Sequence, residues 1–153
     1  MNVTKKIVTA ASAGVLAGLG VGLVAAQPAS AAMSTCSGSL IQLSPIKYGT
    51  TTIGELAVYY NSATGRNCAR TNHSGVTWGK RLPTDATLWE CKETRPGQLC
   101  TKIAQSNDRD YYSYYAGPVS VPGAGHCIVA YGGIYYGGAW RWNPESLTTS
   151  HCG

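Results

Sequence analysis

The sequence predicts an all-β fold, a small disulfide-stapled β-sandwich or barrel that follows an N-terminal signal peptide. Only 12% of the residues are charged, against about 25% in an ordinary soluble domain, which argues against long salt-bridged helices. Short apolar segments alternate with Gly- and Pro-containing turns, a pattern typical of sandwiches and barrels. Six cysteines in a chain of 153 residues indicate disulfide bonds in an exported protein.

The first 31 residues have the features of a secretion signal. Lys5 and Lys6 form a positive start, an uncharged apolar segment continues to Ala26, and the small residues Ala29–Ala31 precede the predicted cleavage site before Ala32. We therefore expect residues 1–31 to be removed, and residues 32–153 to form a single secreted domain with no membrane attachment after cleavage.

The domain that remains after cleavage is mildly basic. Removing Lys5 and Lys6 leaves ten basic and seven acidic side chains, a formal charge of +3. Lys80 and Arg81 form the only adjacent basic pair after the signal, so the concentrated positive charge of a nucleic-acid-binding protein is missing. We expect no nucleic-acid partner, whereas weak attraction to anionic wall polymers is compatible with this charge.

A first hairpin is predicted in the N-terminal half of the domain. The segment Ser39–Ile46 predicts a first strand, and Gly54–Tyr60, with its alternating apolar side chains, predicts a second. The next five residues, NSATG, have turn chemistry, and Gly65 suits a left-handed backbone. Asn67–Thr71 is then expected to return as the partner strand.

A second hairpin is predicted around the turn residues Arg95, Pro96 and Gly97, with Thr87–Cys91 and Leu99–Ala104 as its strands. Residues 107–110 (NDRD) are expected to form a polar turn. Further short strands are predicted at Tyr111–Tyr115, Val119–Val121, Cys127–Tyr131, Ile134–Tyr136 and Ala139–Trp142.

The cysteines are expected to form three disulfides that act as structural staples. Cys91 and Cys100 face each other across the second predicted hairpin, so we pair them. The residues leave the pairing of the other four open: Cys36, Cys68, Cys127 and Cys152. Because the spacings are unlike those of zinc sites, neither a metal nor a cofactor is expected.

The histidines offer a weak hypothesis for a catalytic or metal site. His126 and His151 each precede a cysteine, so a bridge between Cys127 and Cys152 would bring the two imidazoles near each other. His73 falls in a predicted polar turn without an identified partner. The chain also lacks the paired carboxylates of a glycosidase and the motifs of other common hydrolases. We therefore expect a protein that is not an enzyme.

Two aromatic clusters provide the main binding hypothesis. Tyr112 and Tyr114 are predicted to share one face of a strand, and Trp140 and Trp142 to share one face of another. Most aromatic side chains fill cores, but an exposed set of this size is typical of an interaction site. The predicted ligand is a wall glycan or a partner protein.

The predicted Cys91–Cys100 loop supplies an alternative hypothesis. A braced loop that carries Arg95 has the form of a protease inhibitor directed at trypsin-like enzymes, because preorganisation lowers the entropic cost of binding. Arg95 is followed by Pro96, however, which makes a poor scissile position.

Several segments, in order, resemble the spore-associated protein A family of small secreted proteins of filamentous actinomycetes. The likeness extends from about Cys36 to the end of the chain. The segments that carry it are Tyr60–Cys68 (YNSATGRNC), Tyr115–Val119 (YAGPV), Pro122–Cys127 (PGAGHC), Gly132-Gly133 and the terminal Cys152-Gly153.

The resemblance implies secretion and association with the spore or cell surface, without catalytic residues that can be carried over. It also implies that four cysteines belong to the framework of the family: Cys36, Cys68, Cys127 and Cys152. Cys91 and Cys100 are then an addition specific to this sequence.

Overall fold

Antiparallel β-strands account for nearly all of the regular structure in the computed structural model, which describes residues 35–144 and 148–153. The predicted signal at residues 1–31 lies outside the described residues. The strands are β1 (Ser39–Tyr48), β2 (Thr51–Asn61), β3 (Arg66–His73), β4 (Leu82–Cys91), β5 (Lys102–Tyr112), β6 (Tyr115–Pro122), β7 (Ile128–Tyr136) and β8 (Ala139–Trp142). The all-β prediction is confirmed.

The strands form two four-stranded sheets, which makes the fold a sandwich rather than a barrel. The first sheet has the order β1-β2-β3-β6 and the second has the order β5-β4-β7-β8. Side chains from β2, β3 and β6 meet those from β4 and β7 in one core cluster. Its fully buried members include Leu56, Val58, Ala69, Ala86, Leu88, Ala116 and Ile128.

The two sheets approach each other closely at Gly132 on β7. A Cβ atom at this position would lie 2.6 Å from the Thr71 Oγ1 and 2.9 Å from the Leu56 Cβ, so only glycine fits without displacing its neighbours. The Thr71 hydroxyl donates a 2.7 Å hydrogen bond to the carbonyl oxygen of Asp85. This buried bond joins β3 of the first sheet to β4 of the second.

The first predicted hairpin is confirmed, with both strands longer than expected. The Asn61 carboxamide oxygen accepts hydrogen bonds from the backbone N–H groups of Ala63 (3.0 Å) and Thr64 (3.2 Å). Gly65 has φ +62°, the left-handed conformation that glycine adopts without steric cost. The turn therefore forms from local interactions alone, which explains why the sequence predicts it.

The second hairpin is also confirmed, but its second strand extends through residues predicted as a turn. In the register of β4 and β5, Glu90 lies opposite Ala104 and Asp85 lies opposite Arg109. Residues 107–110 are therefore part of an edge strand. Their polar side chains suggested a turn, but pairing with the buried β4 holds them extended.

The predicted strand Tyr111–Tyr115 is wrong, because the chain turns a corner there. Tyr112 ends β5 in the second sheet, and Tyr115 begins β6 in the first. The Asp108 carboxylate holds this corner by accepting hydrogen bonds from the Tyr112 hydroxyl and, at 2.7 Å, from the Gly117 N–H. Burial and then the bond to Asp108 raise the pKa of Tyr112 to about 12. Tyr112 and Tyr114 consequently do not share a strand face.

The strands predicted at Cys127–Tyr131 and Ile134–Tyr136 are one continuous strand, β7. Gly132 and Gly133, which suggested a break, lie in the ladder opposite Ala86 and Asp85. Their lack of side chains serves packing on both sides of the sheet, since Gly132 faces the core and Gly133 faces an indole ring.

All six cysteines are paired, and the predicted Cys91–Cys100 bridge is confirmed. The pairing that the residues left open is Cys36–Cys68 and Cys127–Cys152. Cys36–Cys68 ties the N-terminal segment to β3, and Cys127–Cys152 ties the C-terminal segment to the start of β7. Each bridge is expected to contribute about 2–4 kcal/mol to the free energy of unfolding.

His73 is a buried residue at the end of β3 rather than part of a polar turn. Its Nδ1 lies 3.0 Å from the carbonyl oxygen of Thr77, and its Nε2 lies 2.7 Å from the Thr84 Oγ1. Because a carbonyl can only accept, Nδ1 carries the proton, and in the neutral ring Nε2 accepts from the Thr84 hydroxyl. Burial lowers the pKa of His73 and favours this neutral form.

We expect His73 to make the folded protein less stable in mild acid. The unfolded imidazole takes up a proton below about pH 6.5, whereas the folded protein resists protonation until the lower pKa of buried His73. The stabilisation is therefore complete above about pH 6.5 and is lost as pH falls towards the folded pKa. Urea unfolding at pH 7.5 and pH 5.5 measures this loss. His73→Gln should reduce it, and a loss in His73→Gln equal to that of the wild type would contradict the expectation.

Candidate functional site

The outer face of the second sheet carries a set of aromatic and polar side chains selected by strand alternation. On β4, Asp85, Thr87 and Trp89 alternate with the core residues Ala86 and Leu88. The same alternation on the neighbouring strands adds Gln105 and Arg109 from β5, Tyr131 from β7, and Trp140 and Trp142 from β8.

These side chains surround an open cleft of about 540 Å³, here named the tryptophan cleft. This volume lies within the range of about 300–1,000 Å³ that is usual for ligand sites. Three aromatic and five polar residues line it: Trp89, Tyr131, Trp142, Asp85, Thr87, Gln105, Arg109 and Asn143.

A buried carboxylate fixes the position of the arginine in the tryptophan cleft. The Asp85 side chain is only 2% exposed, and its Oδ2 lies 2.5 Å from the Nε of Arg109. Its Oδ1 accepts a 2.8 Å hydrogen bond from the Thr87 hydroxyl. The Arg109 guanidinium is thereby placed over two indoles, 5.0 Å from the ring centre of Trp140 and 5.7 Å from that of Trp142.

The two tryptophans of β8 form a stacked pair, and Trp142 packs against Gly133 of β7. Their ring centres are 5.1 Å apart, and the ring planes differ by 19°. A Cβ atom on Gly133 would lie 2.5 Å from the six-membered ring of Trp142. The indole therefore rests directly on the backbone of β7, while 42% of Trp142 is exposed to solvent.

The opposite part of the tryptophan cleft is formed by Trp89 and Tyr131, whose rings meet edge to face at 5.1 Å. The Nζ of Lys102 lies 4.8 Å from the Trp89 ring centre. Within residues 35–144 and 148–153, the buried Trp89 Nε1 and Asn143 Nδ2 atoms have no hydrogen-bond partner. Two of the residues lining the cleft thus hold buried donors that the described residues leave unsatisfied.

The structure divides the four predicted aromatic residues between different environments. Trp140 and Trp142 share one face, as the alternation predicts. Tyr112 packs against the central core cluster. Tyr114 is 50% exposed and contacts Trp78 on the other side of the sandwich, with the ring centres 4.9 Å apart. The shared face expected for Tyr112 and Tyr114 therefore does not form, whereas that of Trp140 and Trp142 does.

The polar centre of the tryptophan cleft, Asp85 with Arg109, is not among the site residues predicted from the sequence. Alternation within the segment DATLWE would have put Asp85, Thr87 and Trp89 on one face. The partnership of Asp85 with Arg109 depends on the register of β4 with β5, which no local pattern in the sequence specifies.

The structure contains part of the geometry that the histidine hypothesis requires. The Cys127–Cys152 bridge exists, and the Nε2 of His151 lies 2.9 Å from the Gln42 Oε1. Among the described residues, neither His126 nor His151 belongs to a cluster of three metal-ligating side chains.

The one such cluster in the described parts of the chain is Cys91, Glu93 and Cys100. Its two sulfur atoms are joined in a disulfide, and Glu93 accepts a 2.9 Å hydrogen bond from the Thr101 N–H. Hydrogen bonding to Thr101 lowers the pKa of Glu93. This cluster therefore has no free thiolate to offer a metal.

The Arg95 loop is exposed and is held to the C-terminal segment. The Arg95 carbonyl oxygen accepts a 2.8 Å hydrogen bond from the Thr149 hydroxyl. The Gly97 N–H donates to the Thr149 carbonyl at 2.9 Å, and the Thr149 N–H donates to the Gln98 carbonyl at 2.8 Å. The backbone of the loop is thus rigidly supported on one side.

None of the helical structure in the described residues is long and apolar enough to cross a membrane. Comparison of the chain with protein-family models, with curated proteins and with solved structures finds no match in any of the three.

We expect Gly133→Ala to displace the Trp142 indole. The added methyl group would overlap the ring, and such overpacking costs about 1–3 kcal/mol of unfolding free energy. The exciton signal that two stacked indoles give in circular dichroism should weaken. Gly49→Ala is the control, because it introduces backbone strain at φ +61° with no atom within 4 Å of the new Cβ. An unchanged signal in Gly133→Ala would contradict the expected contact.

Proposed function

We propose that this chain is a secreted, non-catalytic protein of the cell or spore surface that binds a wall glycan through the tryptophan cleft. The observation that carries the proposal is the half-exposed Trp142, packed against Gly133 beside the fixed Asp85–Arg109 pair. A rigid aromatic surface next to oriented polar groups is what a sugar requires of its binding site.

The chemistry of the cleft suits a carbohydrate. A sugar ring has an apolar C–H face, which packs on an aromatic ring, and a rim of hydroxyl groups, which need hydrogen-bond partners. Trp142 and Trp89 supply the rings. The Arg109 side chain, which is 53% exposed, and the exposed Gln105 supply polar groups in the cleft.

The arrangement of carboxylates supports a binding role rather than hydrolysis. Glycosidases use two carboxyl groups about 5–9.5 Å apart across the scissile bond. Among the described residues that line the tryptophan cleft, Asp85 is the sole carboxylate. It is buried and paired with Arg109, and the lining of the cleft supplies no second carboxylate to act with it.

Secretion is supported by three independent features. Three disulfides within one small domain are typical of extracellular proteins. The predicted export signal at residues 1–31 and the resemblance to the spore-associated protein A family agree with this location.

The inhibitor hypothesis for Arg95 has less support. A substrate-like inhibitor presents the carbonyl group of its specificity residue to the oxyanion hole of the protease. The Arg95 carbonyl already accepts a hydrogen bond from Thr149, and the next residue is Pro96. We therefore place glycan binding first.

We expect Trp142→Ala to weaken retention on purified cell walls and spores while the fold survives. Loss of a central aromatic contact costs about 2 kcal/mol or more, which is roughly tenfold or more in affinity. Co-sedimentation of the mature, oxidised protein at low and high salt measures it. Tyr48→Ala is the control, since Tyr48 is 44% exposed, against 42% for Trp142, and does not line the cleft.

Three outcomes of the sedimentation experiment would contradict the proposal. Equal retention of wild type and Trp142→Ala would remove this indole from the binding site. Loss of wild-type binding at high salt would indicate attraction by the +3 charge of the mature chain. Retention that disappears after extraction of surface proteins would indicate a partner protein instead of a glycan.

The mature protein is expected to leave trypsin-family proteases active at micromolar concentration, because the Arg95 carbonyl is engaged with Thr149. Hydrolysis of a chromogenic arginine substrate is the measurement, with Arg95→Ala as the matched variant. Inhibition by the wild type that Arg95→Ala abolishes would establish the inhibitor function instead.

A further inference from the structure

A second aromatic cleft lies on the outer face of the first sheet, next to the corner between β5 and β6. It also has a volume of about 540 Å³ and is here named the Trp78 cleft. Glu55 of β2 lies opposite Asn72 of β3, Asn72 lies opposite Tyr115 of β6, and all three line the cleft. Its other lining residues include Arg70, Trp78 and Tyr114.

The two main rings of the Trp78 cleft are exposed, and this exposure does not stabilise the fold. Trp78 is 61% exposed and Tyr114 is 50% exposed, and their rings contact each other edge to face. Burial of such side chains normally stabilises a protein by about 1.5–3 kcal/mol each. Paired exposed aromatic rings in a concave surface are therefore typical of a binding site.

The backbone around Trp78 and Tyr114 is fixed before any ligand arrives. The His73 N–H donates to the Tyr114 carbonyl at 2.8 Å, and the Gly79 N–H donates to the Ser113 carbonyl at 2.9 Å. The Trp78 N–H closes a 3-10 turn (Gly75–Thr77) by donating to the Gly75 carbonyl at 3.2 Å. A preorganised site of this kind loses little entropy on binding.

The polar groups of the Trp78 cleft identify the class of ligand. Glu55 and Arg70 contribute opposite charges, so the cleft favours a neutral ligand over a polyanion or polycation. The Asn72 amide donates to the Glu55 carboxylate at 3.4 Å, and the Arg70 guanidinium lies 5.3 Å from the Tyr115 ring centre. Aromatic rings beside planar polar groups again match a sugar, as in the tryptophan cleft.

We infer that the Trp78 cleft is a second binding site for a neutral glycan, and that the protein is bivalent. This inference rests on the proposed function and extends it. The outer faces of two packed sheets point in opposite directions, so the two clefts engage different glycan chains or separate wall particles. Two sites on one rigid domain raise the apparent affinity for a dense polymer surface and cross-link it.

The test separates binding from cross-linking. Sonicated purified cell walls are mixed with the mature protein at high salt, and light scattering reports aggregation while depletion of the protein reports binding. Wild type is expected to bind and to aggregate the fragments. Trp78→Ala and Trp142→Ala should each still bind, with an apparent affinity roughly tenfold or more lower, and should not aggregate them. The double variant should lose both properties.

Val76→Ala is the matched control, because Val76 lies in the same turn, is 44% exposed and does not line the Trp78 cleft. Aggregation by Trp78→Ala at the wild-type level would overturn bivalency while leaving the proposed function intact. Absence of binding by the wild type would overturn both. A dimeric wild type that becomes monomeric in Trp78→Ala, measured by analytical ultracentrifugation, would make this cleft a self-association surface and also overturn the inference.

Discussion

The close approach of the two sheets at Gly132 determines the positions of the other features. With no side chain at this point, Thr71 reaches across to the carbonyl of Asp85. The backbone of β4 is thereby held from inside by a residue of the first sheet. The Asp85 side chain, directed outward, then holds Arg109 over the tryptophans of β8. Asp85 thus takes part in the packing of the two sheets through its carbonyl group and in the geometry of the tryptophan cleft through its carboxylate.

The parts of the fold that the sequence predicts well are those formed by local interactions. Alternation in β2 and the Asn61–Gly65 turn need only neighbouring residues. The polar residues of β5 are extended because β4 pairs with them, and the corner after Tyr112 exists because Asp108 bonds to Gly117 on the next strand. Such contacts outweigh local propensity, and no short window of sequence contains them.

The same distinction applies to the binding surfaces. Trp140 and Trp142 are two residues apart, so strand alternation alone predicts their shared face. Asp85 and Arg109 are 24 residues apart and meet only through the strand register. Tyr114 reaches Trp78 because the chain crosses from one sheet to the other just before it. Tyr114 and the two tryptophans of β8 therefore line clefts on different sheets, a division that depends on the topology.

The order of the disulfides has a consequence for how the protein acquires its fold. Each bridge joins cysteines that are consecutive in the chain, with separations of 32, 9 and 25 residues. No bridge encloses or crosses another. If the cysteines pair in the order in which they emerge, each one meets its native partner before the next pair follows. Pairing in chain order therefore gives the three native bridges without any reshuffling.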